Sequence, residues 1–71
     1  MTDFAVLLRT SRRAAGLSQE DAARQVGVTT ATLSRWESGR HQPHRLQLRV
    51  ARQCIDEAWR NAPEIDRRRQ Y

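Results

Sequence analysis

The sequence predicts an all-α domain of four or five short helices, and three observations lead there. Apolar residues recur at three- and four-residue steps in successive segments of the chain. Those segments open on capping residues and close on glycine, with Gly16, Gly27 and Gly39 each just past the end of one. The 71 residues make one domain, of a size at which folding buries only about 60% of the unfolded surface. Its core must therefore be efficient, and association of two copies would help.

Asp3 can cap a first helix through about Ala15, with Phe4, Leu7, Leu8 and Ala15 inward and Gly16 as its stop. Ser18 caps a second, whose Gln19, Glu20 and Asp21 suit a positive helix end and whose Ala22, Ala23 and Val26 form its apolar face. Gly27 ends it by supplying a positive φ, and Ala23, four residues earlier, is small enough for another backbone to cross closely. Val28 plugs the turn. Thr29 caps a third helix running to about Ser38, with Thr29, Leu33 and Trp36 on one side, Glu37 at its edge, and Ala31, Ser34, Arg35 and Ser38 facing out. Two helices joined by such a Gly-containing turn form the helix-turn-helix unit, whose second helix is built to enter the DNA major groove.

Ser38 to His44 is a polar, turn-rich loop in which Pro43 ends extended structure and permits a new helix. A fourth helix is expected from about His44 to Arg60, with Leu46 or Leu48, Val50, Ala51, Cys54, Ile55, Ala58 and Trp59 at helical spacing. Asn61-Ala62-Pro63 breaks it. Residues 63–71 then form a short last helix or an arginine-rich tail, read as a solvated end.

Two charges stand on inward positions. Arg12 lies one turn beyond Leu8 and Glu37 one turn beyond Leu33, where an unpaired charge is costly. Their opposite signs point to one structural ion pair.

The ordered set Leu17-Ser18-Gln19, Ala23, Gly27-Val28, Leu33-Ser34-Arg35-Trp36-Glu37, Gly39-Arg40 and Pro43 resembles the phage repressor and Cro type of helix-turn-helix protein. With the first helix included, the resemblance covers roughly residues 4 to 58. It implies a lambda-repressor-like DNA-binding domain over residues 1–62 and a bridge between Arg12 and Glu37. It also implies that the loop after the third helix grips phosphates. The chain departs from the family in its fourth helix, where the apolar positions fall one residue further from the proline and Gln47 replaces a commoner leucine. The family often dimerises through a fifth helix, whereas here the fourth runs on.

Site residues follow from reach and chemistry. Arg35 is long and forked, suited to donate twice to O6 and N7 of guanine; Thr30 and Ala31 are short, for close approach and the thymine methyl; Ser34 adds one hydrogen bond. Gln19 resembles the family glutamine that bonds a phosphate and steadies its neighbour. Thr29, Ser38, Arg40, His41 and Gln42 complete the phosphate set, the loop residues clamping with backbone amides and charge, which positions the protein without reading sequence. Arg9, Arg13 and Arg45 are read as ordinary surface charges, with a contribution to the field at the DNA as the other reading.

Thirteen basic residues, all of them Arg, stand against eight acidic ones, a net +5. Arg suits bidentate recognition of phosphate and guanine, although the absence of Lys is credited mainly to a GC-rich genome. A single cysteine, Cys54, excludes an internal disulfide and reads as core in a reducing compartment. No membrane span or signal peptide is read, so the expected location is cytoplasmic. Adjacent acids such as Glu20 with Asp21 diverge on a helix, and no phosphate loop, nucleophile elbow or zinc motif appears, so no enzyme, cofactor or metal is expected. His41 and His44 lack nearby ligands to complete a metal set.

The function expected is a sequence-specific, dimeric repressor of a small phage or bacterial operon, acting on a palindrome in double-stranded DNA with half-sites about 34 Å apart. The alternative is an antitoxin-like protein-interaction module that also binds its operator, with its C-terminal helix and Trp59 docking on a toxin. Ile55 and Trp59, one turn apart, are the candidate dimer contacts, with folding of Trp59 into the core as the other reading.

Overall fold

The computed structural model describes residues 3–60, and every regular element among them is helical. Helix α1 spans Phe4–Ala14, α2 Gln19–Val26, α3 Thr30–Glu37 and α4 Arg45–Gln53. A π-helical turn, Cys54–Ala58, continues α4 directly.

Local chemistry sets the boundaries. The side chains of Asp3, Ser18 and Thr29 accept hydrogen bonds from the backbone N–H groups of Ala5, Asp21 and Thr32. Each cap satisfies an amide that has no partner inside its own helix, which is worth roughly 0.5–2 kcal/mol relative to Ala. Gly27 takes φ +89° at the turn between α2 and α3, a conformation any side chain would strain. The N–H groups of Gly27 and Val28 both donate to the Ala23 carbonyl, so the turn is closed by one carbonyl of α2's own last turn.

The core is built from alanines and a few large side chains. Ala5, Ala15, Ala22, Ala23 and Ala51 are buried beside Leu8, Leu33, Trp36, Ile55 and Trp59. Small residues let short helices approach closely, and the two tryptophans fill what remains. Phe4 meets Trp36 edge-on, with ring centroids 6.5 Å apart. Helices α1 and α2 both pack on α3, α2 also packs on α4, and the π-turn returns to α1. The recognition-type helix is thus held from behind.

The fourth helix differs from its sequence reading. Leu46 and Val50 are 67% and 42% exposed, and Ala58 is exposed as well, while Ala51, Ile55 and Trp59 carry the burial with Leu48 and Cys54 half-buried. Helical spacing offers two candidate stripes here, and packing uses the one at Ala51, Ile55 and Trp59. The helix also changes type: the Trp59 N–H donates to the Cys54 carbonyl, five residues back. One wide turn of this kind leaves no periodicity signal.

Trp59, expected as a possible partner contact, is 1% exposed, and its indole Nε1–H donates to Oε1 of Gln25 at 2.7 Å. Ile55 is 8% exposed. Both lie in the core of the single chain, because the π-turn brings them back against α1 and α2, and for Trp59 this is the core reading rather than the partner-contact one. Cys54 packs beside them, its Sγ 3.8 Å from the Gln25 carbonyl, and burial pushes its thiol pKa up, away from reactive thiolate. The expected last helix or tail, residues 63–71, lies outside the described residues. Among the described residues no helix is long and apolar enough to cross a membrane.

Candidate nucleic-acid interface

Helix α3 has two unlike sides. Leu33, Trp36 and Glu37 are buried, whereas Thr30, Ala31, Ser34 and Arg35 are exposed together on the opposite surface. Thr29, placed by its period with the core side, is exposed instead, since its hydroxyl serves as cap: Oγ1 accepts from the Thr32 N–H at 3.1 Å and donates to the Thr32 hydroxyl. Thr30 and Ala31 sit at the end that a groove-entering helix presents first. Arg35 is one turn further on and has no carboxylate within ion-pair distance among the described residues, so its guanidinium fork is available.

The orientation of that face is fixed by the inward charges, which meet. Arg12 Nε donates to Glu37 Oε2 at 2.6 Å and its Nη2 donates to Oε1 at 3.1 Å, a bidentate pair. The remaining Arg12 nitrogen, Nη1, donates to the Leu17 carbonyl at 2.8 Å. Gln19 Nε2 also donates to Glu37 Oε1, at 3.1 Å, and Arg9 Nη1 donates to the Glu37 main-chain carbonyl at 3.2 Å. α1, the start of α2 and the end of α3 are therefore tied at one residue. With side-chain exposures of 11% and 4%, Arg12 and Glu37 are largely screened from water, so the pair acts as a rigid joint.

Gln19, assigned to phosphate, is committed with one of its amide hydrogens to Glu37; the second remains for an outside acceptor. It lines a shallow polar cleft of about 210 Å³ together with Arg9, Arg13, Ser34, Ser38 and the ion pair. The cleft brings together residues from α1, α2 and α3 that were assigned separately. Beyond the surface charges that the sequence suggests, Arg9 caps α3 and Arg13 borders the cleft. A signal existed: Arg9, Arg12 and Arg13 stand at i, i+3 and i+4, one side of α1.

The loop after α3 corrects one detail of the phosphate assignment. Gly39, at φ +80°, closes α3 by donating to the Trp36 carbonyl, and the N–H groups of Arg40 and His41 both donate to the Arg35 carbonyl, at 3.0 and 3.4 Å. The Ser38 hydroxyl donates there too, at 3.0 Å. These donors are consumed in ending the helix, as a Schellman closure requires. What Arg40, His41 and Gln42 offer an anion is their exposed side chains, not the main-chain amides of Arg40 and His41.

A helix-turn-helix domain family matches residues 3–56, and the chain belongs to that family. It is also similar to an uncharacterized HTH-type transcriptional regulator of Methanothermobacter thermautotrophicus, at 38% identity over 56 residues, covering 72% of this chain and 81% of the relative. No solved structure matches the chain.

Proposed function

We propose that this chain is a DNA-binding transcriptional regulator that represses by occupying a promoter. The observation that carries the reading is the exposed row Thr30, Ala31, Ser34 and Arg35 on a helix clamped from behind by a bidentate buried ion pair. A reading helix needs both, side chains free to meet base edges and a scaffold that fixes their angle in the groove. The family and the printed name of the relative support the same reading. One module of this size reads only a few base pairs, so two copies on a palindrome, with half-sites about 34 Å apart, would supply the affinity a genome demands. Burial of Ile55 and Trp59 within the single chain favours a dimer contact elsewhere. The antitoxin-like alternative drew on Trp59 as a docking residue, and its burial removes that support.

The test is Arg35→Ala, measured on operator and on random duplex in the same salt. The expected result is a loss of about 1–3 kcal/mol confined to the operator, since base contacts disappear while phosphate contacts persist. Equal weakening on both duplexes would make Arg35 a backbone contact and sink the base-reading role.

Arg40→Ala should behave in the opposite manner. It is expected to weaken both duplexes alike and to flatten the dependence of log K on log salt by about one unit, the release of one phosphate's counterion. An unchanged salt slope would remove Arg40 from the phosphate set.

A further inference from the structure

Helix α4 carries a surface that neither its own fold nor the DNA reading uses. Arg45, Arg49 and Arg52, at i, i+4 and i+7, form one exposed row along the helix. Beside it, about 100° further round, lie Leu46 and Val50, 67% and 42% exposed, one turn apart. Only three large apolar residues are exposed among the described residues, and two of them are here. None of the three arginines forms an ion pair among the described residues. Asp56 stands one turn beyond Arg52, so the row ahead of it is a net positive strip bordering an apolar one.

We infer that this face of α4 docks a protein partner through an acidic, amphipathic segment, independently of the DNA contact made by α3. The charge row asks for carboxylates spaced along the partner, and the Leu46 and Val50 strip asks for apolar side chains between them. A nucleic-acid backbone would satisfy the arginines but leave a leucine and a valine in water, with no gain from their burial. A second copy of this chain would cover the apolar pair but bring a second set of three arginines against the first. An acidic segment with leucine-like residues at four-residue spacing satisfies both strips at once.

The probe is a synthetic helical peptide with leucines at four-residue spacing flanked by glutamates, titrated into the isotope-labelled full chain and followed by amide chemical shifts. The expected result is a saturable shift confined to the amides of Arg45–Gln53, weakened at least about tenfold by Leu46→Ser with Val50→Ser and by Arg49→Glu. The serine pair preserves every charge, and both positions are exposed enough that the fold should be kept. Three outcomes overturn the inference. If a peptide with glutamine replacing each leucine binds equally well, the surface reads charge alone. If a short random duplex moves the same amides more than the peptide does, the row belongs to DNA. If sedimentation shows a dimer that the serine pair dissolves, the face covers a second copy. Operator binding by the serine pair is measured in parallel and is expected to stay at the wild-type level, since neither residue belongs to the face of α3 read as the DNA contact.

Discussion

Glu37→Ala is expected to destabilise the domain by about 3–5 kcal/mol, the usual result of removing one partner from a buried ion pair. The carboxylate is 4% exposed and accepts three hydrogen bonds, from Arg12 Nε, Arg12 Nη2 and Gln19 Nε2. Truncation strands a guanidinium that is itself almost out of water, with only the Leu17 carbonyl left to it. A chain of 71 residues at roughly 0.05–0.15 kcal/mol per residue has a total stability on the order of 4–11 kcal/mol. The substitution therefore consumes a large share of it, and the thermal midpoint should fall by about 4–8 °C per kcal/mol lost. Arg12→Met combined with Glu37→Leu should be far milder than the sum of the single changes, because it removes both charges and keeps the volume filled. A double-mutant cycle in denaturant that shows additive effects would mean that the two groups contribute independently despite their contact.

Much of this arrangement was legible because it rests on local rules. Ser18, Gly27 and Thr29 are residues whose chemistry is specific to helix ends, and the caps and the positive φ fall at those positions. Arg12 and Glu37 stood out because a charge on an inward helical position needs an explanation. What was hidden depends on tertiary choice. Two stripes of α4 have the spacing of a core face, and only the neighbours decide that Ala51, Ile55 and Trp59 are inside while Leu46 and Val50 are outside. The π-turn has no pattern of its own, and the bond from Trp59 to Gln25 joins residues on different helices whose types do not specify each other. The use of the Arg40 and His41 amides in closing α3 depends on backbone geometry alone.

Trp59→Ala is expected to cost about 3–5 kcal/mol, the range for deleting a buried aromatic side chain. The indole is among the largest fully buried side chains and joins the π-turn to the rest of the core, so its removal leaves a void between short segments. Part of the loss is polar. The 2.7 Å bond to Gln25 satisfies an indole N–H that has no access to water, and Gln25→Ala alone should therefore cost about 1–3 kcal/mol even though Gln25 itself is an exposed residue. Trp59→Phe should fall between the two: it restores most of the ring volume, dispenses with the N–H, and leaves the Gln25 amide to water. Denaturant midpoints of the three variants, with sedimentation of each over a concentration series, separate a core role from a partner contact. A Trp59→Ala protein that kept its midpoint but lost self-association would put the indole in an interface and overturn its place in the core. Loss of stability at constant association state, in the order Trp59→Ala, Trp59→Phe, wild type, is what the buried geometry requires.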